Sequence, residues 1–155
     1  MIGPIGSSLA LEATVGPRFG FPLTDVEVLV TDGGGGGERD SELGLHQAAS
    51  QALRAALAEA EVTLLEPVMR FDIEAPAEFM SGILGELNAQ RADIQDLSVD
   101  GDLRRVTGTV PLVRMFGYAT TLRSLSQGRA SFALSPAGFR PVPEEELAER
   151  GLVWQ

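Results

Sequence analysis

Four features of this sequence invite a chemical reading: a glycine run, a lone histidine, an acidic triplet, and arginines interleaved with aromatics. Asp32 is followed by Gly33, Gly34, Gly35, Gly36 and Gly37. A glycine-rich loop can wrap phosphate, but a phosphate loop ends in Gly-Lys-Ser/Thr, which brings a lysine to the phosphates and a hydroxyl to magnesium. Here Glu38 comes next, and a carboxylate repels phosphate. The run predicts a flexible loop tip, because glycine has the greatest backbone freedom and no side chain to pack. His46 is the only histidine and there is no cysteine. Thiolate and histidine-rich metal sites are therefore excluded, and His46 reads as an ordinary helix residue. Glu144, Glu145 and Glu146 suit the positive end of a helix dipole better than a general-acid pair. Ser41 and Ser131 have no neighbouring base and no nucleophile motif. The residues predict no catalytic group, no metal site and no cofactor.

The arginines read differently. The chain has 155 residues and a net charge of −10, with 12 basic residues, all arginine, against 22 acids. Such a balance argues against broad, non-specific nucleic-acid binding, which depends on basic surface. The charge is unevenly spread, however. Residues 1–66 hold three arginines and ten acids, whereas residues 111–130 hold Arg114, Arg123 and Arg129 and no acid. Within that stretch lies Phe116-Gly117-Tyr118. A small residue flanked by aromatics on positive chain can dock an RNA backbone or base. The competing reading puts Phe116 in the core and leaves the arginines solvated.

The elements that must position these residues follow from patterning. Residues 1–8 read as irregular, and Leu9–Val15 as a short strand. Val26, Val28 and Val30 alternate with Asp25, Glu27 and Leu29, which predicts a strand over Thr24–Thr31. Asp40 or Ser41 suits a helix N-cap, and Ser41–Glu61 is rich in strong helix formers. Its face of Leu45, Ala49, Ala52, Leu53, Ala56, Leu57 and Ala60 predicts close approach to a sheet. Val62–Leu65 reads as a short strand, and Glu66-Pro67 as a break and domain boundary.

Beyond it, Met69, Phe71 and Ile73 predict a half-buried strand. Pro76 opens a helix carrying Phe79, Ile83 and Leu87. Strands over Asp93–Val99 and Leu103–Val110 flank the hairpin signal Asp100-Gly101. Pro111 opens a second helix, with Leu112, Met115, Phe116, Ala119 and Leu122 toward the core. Arg129–Ser135 is a last strand, and Pro143–Arg150 a short acidic helix. The order β-α-β-β-α-β predicts an α+β, ferredoxin-like sandwich. Residues 1–11 lack a basic leader region, and no apolar run reaches the roughly 18 residues of a membrane helix. The expectation is a soluble, cytoplasmic protein without a membrane partner or small-molecule substrate.

Several segments together resemble the C-terminal part of elongation factor G. Val110–Phe132 (VPLVRMFGYATTLRSLSQGRASF) is similar to the signature of that family's fifth domain. Leu64–Met69 (LLEPVM) resembles the junction of its fourth and fifth domains, and Gly20–Val26 (GFPLTDV) a stretch within the fourth. Pro76–Phe79 (PAEF), with Gly82 and Leu87, resembles the first helix of the fifth. The likeness runs in register over Gly16–Arg150. It implies that residues 1–66 are a partial fourth domain, a βαβ portion of a ribosomal-protein-S5-like fold. Residues 67–155 would be a fifth domain with a terminal helix.

The resemblance further implies a ribosome-binding module. Its partners would be ribosomal RNA and proteins of the GTPase-associated region, with Arg114, Phe116, Gly117, Tyr118, Arg123 and Arg129 as contacts. GTP hydrolysis would belong to a G domain outside these residues, so this chain is expected neither to bind nor to hydrolyse GTP. The chain departs from the family twice. The family's tip loop carries aromatic and histidine residues, where this chain has only glycine; that leaves translocation and ribosome recycling both open. The family's Arg-Gly turn reads Arg91-Ala92, and alanine at a positive-φ position would cost about 1 kcal/mol. The alternative to a ribosomal role is a free-standing structural or protein-interaction module.

Overall fold

A computed structural model describes residues 2–16, 19–34 and 41–152. The chain divides into two compact units, Met1–Leu64 with Glu144–Gln155, and Leu65–Pro143. The boundary expected at Glu66-Pro67 falls two residues inside the second unit. The terminal helix groups with the first unit rather than with the second.

In the first unit, helix α1 (Ile2–Ala13) replaces the irregular start and the strand expected over Leu9–Val15. Pro4 lies in its first turn, where a missing N–H leaves no helical bond unmade. Helix α2 (Glu42–Glu59) starts at the N-cap Ser41, whose Oγ accepts from the Gly44 N–H at 3.1 Å. It packs against α1, the described residues of this unit offer it no sheet, and Leu53 is its buried residue. Arg54 donates to both carboxylate oxygens of Glu12, each at 2.9 Å, and ties the helices together. Thr24–Thr31 forms no regular strand, and Val26, Val28 and Val30 are exposed. A strand is defined by pairing, and among the described residues of this unit there is no second strand to supply it. Gly33 and Gly34 are exposed, with nothing near an added Cβ. Gly35, Gly36 and Gly37 lie outside the described residues.

The second unit is the βαββαβ sandwich. Its elements are β1 (Leu65–Pro76), α3 (Ala77–Ala89), β2 (Asp93–Asp100), β3 (Leu103–Pro111), α4 (Tyr118–Leu125) and β4 (Ser131–Pro141). The sheet order is β2-β3-β1-β4, antiparallel throughout. Phe71, Ile73 and Ala75 of β1 and Val106 and Val110 of β3 point to one face. There they pack with Met80, Ile83 and Leu87 of α3 and Tyr118 and Leu122 of α4. Both helices therefore cover the same side of the sheet.

Strand β1 does not break at Pro67. It starts at Leu65, the one residue of the expected Val62–Leu65 strand that is paired. Pro67 faces Phe139 of β4, while pairing with β3 begins only at Val68. At Pro67 the strand is thus still an edge, where a proline removes no ladder bond. Gly108 faces Phe71 across β1 and β3. An added Cβ there would lie 2.1 Å from the Asp93 carbonyl oxygen and 2.8 Å from Phe71 Cζ, so only glycine fits. Both edge strands carry register shifts, β4 opposite Val68/Met69 and β2 at Ile94/Asp96. Bulges of this kind blunt an edge against pairing with another chain.

Helix α3 ends in a Schellman motif. Ala92 N–H donates to Leu87 O and Arg91 N–H to Asn88 O, both at 3.0 Å. The left-handed residue is Arg91, at φ 56°, rather than Ala92. The strain expected at Ala92 therefore sits one residue earlier.

Candidate functional site

The segment from Pro111 to Leu125 is not one helix. Leu112–Met115 forms a single 3-10 turn, Gly117 takes a left-handed conformation at φ 79°, and α4 then begins at Tyr118. In a 3-10 turn, residues i and i+3 eclipse. Leu112 and Met115 share the inner side, and Met115 is buried. Val113 and Phe116 share the outer side and are 48% and 77% exposed. Patterning alone puts Phe116 in the core; the left-handed Gly117 turns the chain so that Tyr118 takes that place. Ala119, which patterning also puts in the core, is exposed.

Tyr118 is only 2% exposed and packs on Phe132, ring centroids 5.4 Å apart. Its hydroxyl has no hydrogen-bond partner among the described residues. Burial, with a smaller contribution from the Glu86 charge, pushes its ionisation up to about 12. Tyr118 is a core residue and offers no surface to a partner. Gly117 and Phe116 are exposed, and together they form a knuckle between β3 and α4.

The three arginines have three different surroundings. Arg114 lies within the 3-10 turn and is half-buried. Arg123 lies in the last turn of α4, exposed, with no ion pair to any described carboxylate. Its position also complements the negative end of the helix dipole. Arg129 donates to Glu78 of α3 at 2.6 Å and lies 5.5 Å over the Phe79 ring. A stretch free of acids in sequence is thus partly neutralised in space.

That pattern is wider than patterning along the chain revealed. Residues 103–143 contain six arginines and no acid, whereas 65–102 contain nine acids and two arginines. The halves are tied across the fold. Arg105 donates to Asp72 from Nε at 2.8 Å and again from Nη2, and this hydrogen bonding holds the Asp72 carboxyl below its usual range. Arg140 donates to the buried Glu66 at 3.0 Å. The open face of the sheet presents Arg70, Asp72, Glu74, Arg105, Thr107 and Thr109 and no aromatic ring.

In the first unit Ser8 Oγ meets His46 Nδ1, and His46 Nε2 lies 3.8 Å from Glu42. Ser8 is buried between helices, which suits a tie between α1 and α2 better than a nucleophile. Among the described residues no group of three or more His, Cys, Asp or Glu could hold a metal, and no helix is long and apolar enough to cross a membrane.

Sheet order and helix placement define an α+β, ferredoxin-like unit. The family described as Elongation factor G C-terminus matches residues 63–150, and the chain belongs to that family. It is 42% identical over 135 residues to Elongation factor G of Thermotoga maritima, covering 87% of this chain and 19% of that protein. It is 41% identical over 128 residues to Elongation factor G 2 of Desulfotalea psychrophila, covering 83% and 18%. A solved structure, the crystal structure of ttk003000868 from Thermus thermophilus, superposes with a TM-score of 0.81 at 30% identity. The match covers 97% of this chain and 23% of that one. The chain therefore spans about a fifth of the length of the relatives it matches.

Proposed function

We propose that this chain is a cytoplasmic, ribosome-binding C-terminal module of an elongation-factor-G-like translation factor, serving translocation or ribosome recycling in a longer protein. GTP hydrolysis in that protein would belong to a G domain outside these residues, and the module itself needs no cofactor. Its partner surface is the helical end of the second unit, and the partner is ribosomal RNA with proteins of the GTPase-associated region. The observation that carries this reading is Arg123. It is an exposed guanidinium without an ion-pair partner among the described residues, on chain that holds no acid from Leu103 to Pro143. Local arginines suffice for phosphate contact even on an acidic protein, because the interaction falls off within about 10 Å at ordinary salt.

The alternative, a protein-interaction module pairing through its sheet, is disfavoured by the bulges on both edge strands. Co-sedimentation with purified ribosomes across a salt series tests the proposal. Binding at low salt should fall as salt rises, and Arg123→Glu should weaken it. A chain that stays in the supernatant at every salt concentration would refute the reading.

A further inference from the structure

We propose that the β2 edge of the second unit docks a basic, extended segment of a ribosomal protein, aliphatic on one side and bearing lysine or arginine on the other. This rests on the ribosomal reading above and adds a protein contact to it. Alternate side chains of a strand face opposite sides of the sheet. Leu97 lies opposite the buried Val106, and Val99 opposite Arg104, so both stand on the helix-covered side. They are 50% and 66% exposed. Asp96, Ser98 and Asp100 stand on the open side, all exposed. Beside them on the inner strands are Asp72, Glu74 and Arg105. Arg105 bonds to Asp72 and lies within electrostatic reach of Glu74 and Asp96. One guanidinium thus answers three carboxylates, and Asp100 adds a fourth negative charge at the end of the strand.

A partner for this edge must answer carboxylates on one side and cover aliphatic side chains on the other. Ribosomal RNA does neither, because the carboxylates repel its phosphates. A protein segment in which aliphatic residues alternate with lysine or arginine does both, since an extended chain also sends alternate side chains to opposite sides. The register shift at Ile94/Asp96 confines backbone pairing to Leu97–Asp100. Side chains therefore carry most of the recognition, and charge sets its specificity.

Two variants of the full chain test this with purified ribosomes as probe. The double change Asp96→Asn with Asp100→Asn should weaken binding about fivefold. Val99→Arg, which sets like charge against the basic segment, should weaken it about tenfold. Both variants are less acidic than wild type, so an edge turned to solvent or to RNA would gain affinity from them. The sign of the change therefore decides. All three positions are exposed, so both variants should melt with wild type. The chain has no cysteine, so Ser98→Cys carries a unique benzophenone. Illumination on the ribosome should join it to a ribosomal protein within a lysine- or arginine-rich peptide. Wild-type or tighter binding by both variants would overturn the proposal. A cross-link to ribosomal RNA, or none while the chain is bound, would do the same. If Arg123→Glu is impaired while these variants are not, the ribosomal reading stands and this inference alone falls. No binding by wild type removes both.

Discussion

Arg129 and Glu78 stand 51 residues apart in the chain and 2.6 Å apart in the fold. Arg129 thereby joins the turn that leads into β4 to the first turn of α3, with its guanidinium over the Phe79 ring. Its charge is committed within the protein, whereas that of Arg123 is not. Both members of the pair are more than half exposed, so the pair contributes less than about 1 kcal/mol. Arg129→Gln should lower stability by no more than that and leave the salt dependence of ribosome binding nearly unchanged. Arg123→Gln should reduce the slope of log K against log salt by about one. Equal slopes for the two variants, measured by filter binding, would contradict this division of roles.

Gly108 leaves no room for a side chain between β2 and the Phe71 ring. An alanine methyl there would have to displace the Asp93 backbone or the Phe71 ring. Gly108→Ala should cost at least about 3 kcal/mol, since overpacking a filled core forces backbone shifts. Urea unfolding would show this as a lowered midpoint or as loss of the second unit's transition.

Tyr118 is the chain's only tyrosine, so absorbance near 295 nm reports its ionisation directly. With the folded value raised from 10 to about 12, the native state holds the proton longer than the unfolded chain does. The associated stability is fully present below pH 10 and is lost as pH climbs toward 12. Tyr118→Phe should remove that loss. It should also gain up to about 1 kcal/mol at pH 7, because a buried hydroxyl without a partner is costly.

Arg91 occupies the left-handed position of the α3 cap, where glycine is favoured. Arg91→Gly should stabilise the protein by about 1 kcal/mol or slightly less, after allowing for glycine's greater freedom when unfolded. A lower melting temperature for this variant would mean that the arginine side chain contributes more than the backbone strain costs.

Much of the second unit was legible in the sequence because its signals are local. Phe71 and Ile73 alternate, Ile83 and Leu87 recur at helical spacing, and Asp100-Gly101 marks the hairpin. The cap at Ser41 was legible for the same reason. Helix α1 was not, because Gly3, Pro4 and Gly6 read as loop residues while the contacts that hold the helix, Glu12 with Arg54 and Ser8 with His46, come from 38 or more residues away. The exchange of Phe116 and Tyr118 between surface and core depends on one backbone angle at Gly117. The neutralisation of Arg129 depends on a partner in another element, so an acid-free stretch of sequence overstated the free charge.

Directed hydroxyl-radical probing tests the ribosomal surface most directly, because the chain has no cysteine and any introduced one is unique. Iron–EDTA tethered at Ser124→Cys, next to Arg123 and exposed, should cut ribosomal RNA at a compact set of positions. The same probe at Ser135→Cys on strand β4 should cut weakly or elsewhere. Strong cleavage from position 135 with none from position 124 would show that the chain meets RNA through another face, or that Arg123 does not face it at all.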